Sequence, residues 1–388
     1  MSPNSERSAF GRWTPELSIR MRSEGDFEAD KCVAELEAHH QMGPVQSVFR
    51  SMPRNDSRLP DDAPAPLKHF FQHNVGLPIW ADPERIRRGE EVFLENGLPI
   101  AVVLLCRSIP EGYGAPTLTE ILYMTGVLAD RPYHRLLAVL QMVLDVAVDG
   151  GFEPEGKALR VAMKLRLLHA GIRRMAVTHL KDYEKEHDIP CNHEDMLATL
   201  LAFSLLVIEG LQSLGAPLSP SDAEDLFYPW RVFAVCMGIP EEYVPRDVAD
   251  ARQCYAAYAS RQYVPAAQNQ RGVLLAQANT QMLKDLIPGW AHRLGAGVLP
   301  EIFMWQLMGK DACERVQIPP VHGHWALKKA ALLAVQATAN PDDSRFKVVL
   351  SPASRWVTQA VYGTLIRREY NGVPKIIIPQ KIADVWKI

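Results

Sequence analysis

Apolar positions recur with a helical period almost from end to end of the chain. Between residues 27 and 40, Ala29, Val33 and Leu36 fall at three- and four-residue intervals, one face of a helix. Asp82 followed by Pro83 is a start signal, a capping carboxylate with proline in the first turn. The helix it opens carries Ile86, Val92 and Leu94, and Asn96 and Gly97 stop it. The apolar run 98–105 fits a strand or a buried helix by pattern alone, and its helical surroundings favour helix. Further helices are predicted over 115–125, 131–147, 159–185, 193–214, 219–237 and 248–259, with Asn192 and Ser219 as caps and Gly215 and Gly238 as stops. Residues 265–336 read as helical, with breaks at 288–289, 295–300 and 319–323. Residues 44–66, rich in Pro, Ser, Asp and Arg, and residues 108–116, punctuated by Gly and Pro, read as loops. Near the end, prolines flank Ile376, Ile377 and Ile378, which suggests an extended clasp.

Strand and helix patterns do not alternate, and there is no glycine-rich phosphate loop or internal repeat. The expectation is therefore an all-α protein with a single large helical domain over 27–336. Residues 1–26 form a lead-in, and 337–388 an extension that packs on the domain. The run from Met196 to Ile208 is the most apolar segment, but it is bounded by Asp195 and Glu209 and is too short to span a bilayer, so it is predicted to be a core helix.

Composition narrows the function classes. Among 388 residues, 47% are hydrophobic and 22% charged, the proportions of a folded globular protein. The net charge of -3 and the lack of a basic block give no electrostatic case for nucleic acid. Six dispersed cysteines without a C-x-x-C pair argue against a zinc site or disulfide framework and for a reducing compartment. The N-terminal residues carry no apolar run that would serve as a signal sequence, so the expected location is the cytoplasm, without a transmembrane segment.

The most informative chemistry lies in the predicted helix 159–185. At 100° per residue Val161, Leu165, Leu168, His169, Ile172 and Ala176 share one stripe, while Lys164 and Arg174 lie away from it. An imidazole aimed at a core needs a hydrogen-bond partner or a metal. Arg173, one turn beyond His169, adds a fixed cation suited to a carboxylate. A haem pocket uses this arrangement, and so do ordinary core histidines. His179 is a rival on nearly the same stripe, but the two are not at the i, i+4 spacing of a two-histidine clamp. Elsewhere, Glu120 and Tyr123 share one helix, with Arg131, His134 and Arg135 opening the next. These groups either converge on His169 or form surface charges and an ion pair. Thr199 and Ser204 are expected to bond the preceding turn, and Glu209 to reach the surface or a cation. His322 and His324 have no supporting third ligand in sequence, and no G-x-S-x-G elbow is present.

Several motifs together resemble one family, the latex-clearing-protein/MpaB-type oxygenases. In order, they are Pro78, Ile79, Trp80, Ala81, Asp82 with Arg88, Gly89, Glu90, Glu91, Val92, Phe93; then Ser108, Ile109, Pro110, Glu111, Gly112, Tyr113; then Thr125, Gly126, Val127, Leu128; then Arg166, Leu167, Leu168, His169, Ala170. Ile189, Pro190, Cys191, Asn192, His193, Glu194, Asp195 follow, then Thr199 to Ser204, and Trp230 with Gly238, Ile239, Pro240. The resemblance covers about residues 27 to 250; no single piece is specific, but the ordered set is.

The resemblance implies an all-α fold with globin-like core packing around haem b. It also implies dioxygen- or peroxide-dependent oxygenation or cleavage of an apolar, unsaturated, isoprenoid-like small molecule. His169 matches the family's proximal iron ligand. Arg173 and Arg174 are then expected to pair with a haem propionate or support the helix carrying His169, and Glu120 and Arg135 to line the distal side. If Arg135 matches the family's distal arginine, Ala138 and Val139 stand where the rubber enzymes have Lys and Thr. That makes the distal wall more apolar and counts against rubber as the substrate. The alternatives are a non-catalytic haem- or lipid-binding helical protein, and a haem-free protein in which His169 is a core residue.

Overall fold

The computed structural model describes residues 10–339, apart from 75, 125–131, 149 and 180–187; the side chains of 123, 124, 132–137 and 177–179 also lie outside the description. Among the described residues the fold is all-α, with no strand. The helices are α1 (Pro15–Arg22), α2 (Phe27–Ala38), α3 (Met42–Ser51), α4 (Ala65–Asn74), α5 (Pro83–Glu95), α6 (Gly97–Val103), α7 (Pro116–Met124) and α8 (Pro132–Ala147). They continue as α9 (Ala158–His179), α10 (His193–Phe203), α11 (Leu205–Ser213), α12 (Pro220–Cys236), α13 (Val248–Gln262), α14 (Gln270–Leu286), α15 (Leu299–Arg315) and α16 (Trp325–Gln336).

The predicted caps form. Asp82 accepts from the Glu84 and Arg85 amides, Asn192 from Asp195 and Ser219 from Asp222. The run 98–105 is helical, as the pattern favoured, but from Leu104 to Ser108 the coil widens into a π turn that leads into the short helix Ile109–Gly112. Much of the stretch expected as the loop 108–116 is therefore helical backbone. The expected loop 44–66 is also corrected. Val45, Val48, Phe49 and Met52 recur at helical spacing, and burying them in the main core outweighs the local propensities of Pro44 and Ser47, giving α3. The extension predicted from 337 lies outside the described residues from 340 onward.

One continuous apolar core runs through the described chain, and it takes in Trp13 and Met21 from the segment read as a lead-in. Helix α10 lies at its centre, touching α1, α11, α12 and α13, and nearly every residue of α10 is buried. The predicted single helix 193–214 breaks at Ser204 (φ -119°, ψ -74°), whose Oγ donates to the Leu200 carbonyl at 3.0 Å; Thr199 does the same to Asp195 at 2.8 Å. Together α10 and α11 are long and apolar enough to cross a membrane, yet 78% of the apolar window is buried inside the protein.

The most extensive helix pair is α5 with α12. Pro229 sits inside α12 and has no amide to offer the Asp225 carbonyl four residues earlier. Gly89 of α5 packs against that carbonyl: a Cβ there would lie 2.2 Å from the Asp225 oxygen and 2.6 Å from the Pro229 ring. Both obstacles are backbone or ring and cannot rotate away. Gly89→Ala is expected to destabilise the protein by about 1–3 kcal/mol, read as a lowered denaturant midpoint at unchanged slope; an unchanged midpoint would refute this packing.

Candidate functional site

Helix α9 carries His169, and two buried arginines fix its rotation. Arg166 forks onto Asp26, Nε to Oδ2 at 2.5 Å and Nη2 to Oδ1 at 2.9 Å, with both side chains buried. Asp26 also caps α2 by accepting from the Ala29 amide, and Arg166 donates to the Asn74 side chain at 2.9 Å. The chain passes over this pair at Gly238 (φ +81°), where a Cβ would meet Asp26 Oδ2 at 2.6 Å and Arg166 Nε at 2.9 Å, so only glycine serves there. Arg173, two turns beyond Arg166, reaches Asp30 through Nε at 2.8 and 3.0 Å and the Cys191 carbonyl through Nη1 at 3.0 Å. Helix α9 is thereby held against α2 at two points.

This packing corrects the expected orientation of α9. The densely buried side consists of Ala162, Met163, Arg166, Leu167, Ala170 and Arg173. Leu165, Leu168 and Ile172 are only half-buried, and His169 lies at the border between the two sides with its Nδ1 shut off from solvent. Of the two roles expected for Arg173, support of the helix is the one its contacts display. Arg174 lies exposed in an ion pair with Glu37 of α2, while Arg173 Nη2 is buried without a hydrogen-bond partner. Packing against α2 claims them because α2 presents Asp30 and Glu37 along the same side.

Glu120 of α7 pairs with Arg271 of α14. Arg135 belongs to α8, but its side chain lies outside the description, as do those of Tyr123, His134 and His179. His193 is buried beside Tyr243, and burial pushes its imidazole downward, toward the neutral form. Glu209 meets Arg107 at 3.0 Å and Arg252 at 3.4 Å, a structural role.

A cavity of about 130 Å³ opens between the π turn, α7, α8, α10, α13 and α14. Its walls are mainly apolar: Ile109, Leu118, Leu122, Val139, Ala202 and Phe203 are among them. Val139 is thus a wall residue, and α7 contributes Leu118 and Leu122 to the lining rather than Glu120. Gly112 leaves open space on the cavity side, since a Cβ there would meet nothing within 4 Å.

The polar part of the wall includes Ser108, Thr199 and Asn279 and a tyrosine cluster that the sequence pattern does not single out. Tyr255 and Tyr263 share a hydroxyl–hydroxyl bond of 2.5 Å, and Tyr258 donates to Asp195 at 3.0 Å. Burial pushes all three phenols upward, with further push on Tyr258 from Asp195 and on Tyr263 from Glu111, so they remain protonated donors. Tyr255 and Tyr258 stand three apart on α13, a sequence signal for a shared face; Tyr263 joins them only because the chain turns back after α13.

The donor set bears on what His169 is able to hold. Among the described residues no group of three His, Cys, Asp or Glu side chains is placed to bind a metal ion. A single imidazole beside incompletely covered leucine and isoleucine side chains suits an iron that brings its own equatorial ligands in an apolar macrocycle, so the residues fit a haem.

Residues 102–340 match the family described as ER-bound oxygenase mpaB/B′/rubber oxygenase, catalytic domain. The rubber oxygenase of Streptomyces sp. (strain K30) is 24% identical over 254 residues, 62% of this chain and 61% of that protein. The chain thus spans about three fifths of the length of that relative. A solved structure of latex clearing protein in its closed state has a TM-score of 0.72 and 19% identity, covering 87% of this chain and 91% of the other. That likeness shows a common helical fold.

Proposed function

The chain belongs to the mpaB/B′ and rubber oxygenase catalytic-domain family, and from this premise we propose that it is a haem b-dependent oxygenase acting on an apolar, unsaturated, isoprenoid-like molecule. The observation that carries the reading is the placement of His169. Its Nδ1 is shielded, it borders the half-covered apolar side of α9, and the Arg166–Asp26 and Arg173–Asp30 pairs hold the helix in rotation. His169 is the iron ligand in this account, with a neutral imidazole as the coordinating form. Haem, when bound, supplies an iron centre that activates dioxygen or peroxide.

The chain's own residues do the rest. The leucines of α7 and Val139 hold the hydrocarbon and exclude water. Arg135, one turn before Val139 on α8, is assigned to polarising oxygen, and Glu120, which pairs with Arg271 outside the described cavity lining, to moving a proton from that ion pair. Cleavage in this class of reaction breaks one C=C bond and places one atom of dioxygen on each carbon, leaving two carbonyls.

The test is oxygen uptake by haem-loaded protein given an acyclic isoprenoid alkene under ¹⁸O₂. The proposal expects uptake above that of free haem and label in a carbonyl or hydroxyl product. Haem binding without uptake or labelled product would overturn catalysis and favour the second reading, a haem or lipid carrier. The apolar residues Ala138 and Val139 on the distal helix give that second reading its support.

A further inference from the structure

Ser108 is the last residue of the π turn and lines the cavity. Its side chain is 3% exposed, and its Oγ has no hydrogen-bond partner among the described residues. Elsewhere in the core, hydroxyls on helices bond the carbonyl four residues back, as Thr199, Ser204 and Thr280 do. Ser108 does not, because the backbone there is wound as a π helix, with the Ile109 amide reaching the Leu104 carbonyl five residues back. A buried hydroxyl without a partner carries a desolvation cost that a bound oxygen atom would relieve. Lining the same cavity, the Tyr255–Tyr263 bond uses one of two phenolic protons and leaves the other able to donate.

We infer that Ser108 and the Tyr255–Tyr263 pair form an anchoring point for a single neutral oxygen, a hydroxyl or carbonyl, on an otherwise hydrocarbon ligand. Among the described side chains no lysine or arginine lines the cavity, and the neighbouring Arg107 is committed to Glu111 at 3.1 Å and Glu209 at 3.0 Å. Among these described side chains a carboxylate would find no countercharge, and the Glu111 carboxyl lies near Tyr255 and Tyr263, which disfavours an acid. A pure hydrocarbon would leave the Ser108 hydroxyl unpaired. The volume, about 130 Å³, is comparable to a cavity of roughly 150 Å³ that takes one benzene. It holds a segment of isoprene-unit size, with the rest of a longer chain outside. The substrate class is thus a neutral, singly oxygenated isoprenoid. This deepens the proposed oxygenase reading and rests on it for the word substrate, but not for binding.

Full-length protein titrated calorimetrically with geraniol, geranic acid and the corresponding ten-carbon diene tests it. Geraniol is expected to bind about five- to tenfold tighter than the diene, the range of one neutral hydrogen bond, and tighter than geranic acid at pH 7. Ser108→Ala should bring geraniol within about twofold of the diene while leaving the diene's own affinity unchanged. Tyr263→Phe, which keeps the ring, should lower geraniol affinity in the same direction. Near-UV circular dichroism checks that each variant is folded. Equal binding of alcohol and diene, a preference that survives Ser108→Ala, or no binding of any probe would overturn the inference. Haem loading and oxygen uptake on the same preparations separate the two claims. A Ser108-dependent alcohol preference in protein that takes no haem would remove the oxygenase and leave the anchor, and haem loading and turnover without the preference would do the reverse.

Discussion

His169→Gly is expected to lose haem affinity by at least about tenfold to a hundredfold, the loss that follows removal even of an outer-shell partner of a metal ligand. The side chain removed is only half-buried, at the border of α9's packed side, and the Arg166–Asp26 and Arg173–Asp30 pairs that hold the helix on α2 stay in place, so the fold should survive. Free imidazole added to the variant should restore binding, because the space vacated is that of the ring itself. Rescue by imidazole separates a lost ligand from a damaged protein. Haem retained at wild-type affinity in the variant would reassign the iron to another residue and return His169 to the class of core histidines.

Asp26→Ala is expected to have the largest effect on stability. Arg166 is 5% exposed, and without Asp26 its guanidinium keeps, among the described residues, the neutral Asn74 side chain and the ring of Phe70, whose centroid lies 5.0 Å away. Leaving a buried charge uncompensated costs about 3–5 kcal/mol, and loss of the α2 cap at Ala29 adds roughly 1 kcal/mol. Replacing both partners, Asp26→Ala with Arg166→Met, should recover part of this, since an apolar pair of similar volume leaves no charge buried. Urea unfolding of the two single variants and the double variant gives the coupling directly. A single-variant cost below about 1 kcal/mol would show that the pair does not hold α9 on α2.

His169 and Asp26 act on different parts of one arrangement. Asp26 and Asp30 touch nothing in the cavity. By fixing the rotation of α9 they decide which side of it faces α2 and which side, with His169 at its edge, stays half-covered. A modest loss of haem affinity is therefore expected in Asp26→Asn as well, through positioning rather than ligation.

Helical periodicity and capping residues made most of this fold legible. Asp82, Asn192 and Ser219 start the helices they were expected to start, because capping is a local interaction between residues two or three apart. The break at Ser204 and the π turn at 104–108 were not legible. Both lie in runs so apolar that burial is satisfied by any helical winding, and tertiary packing then chooses the winding. The amphipathic spacing of Val45, Val48, Phe49 and Met52 was present but sat among residues typical of loops.

For the site, the stripe containing His169 was visible and its placement was not. Helix α9 has two apolar sides, and only the positions of Asp26 and Asp30 reveal which one packs. Arg173 and Arg174 looked available for an anionic group because their acidic partners lie about 140 residues away in sequence. Ser108 and Tyr263 line the same cavity across a similar separation, so no local pattern announces them.

The central claim is tested most directly by titrating haem into purified wild-type protein while following the Soret band, then reducing the complex and recording its resonance Raman spectrum. Saturation at a single haem per chain is expected, with an iron–imidazole stretching band that disappears in His169→Gly and returns with added imidazole. Failure to saturate, or an iron–imidazole band unchanged in His169→Gly, would contradict the claim.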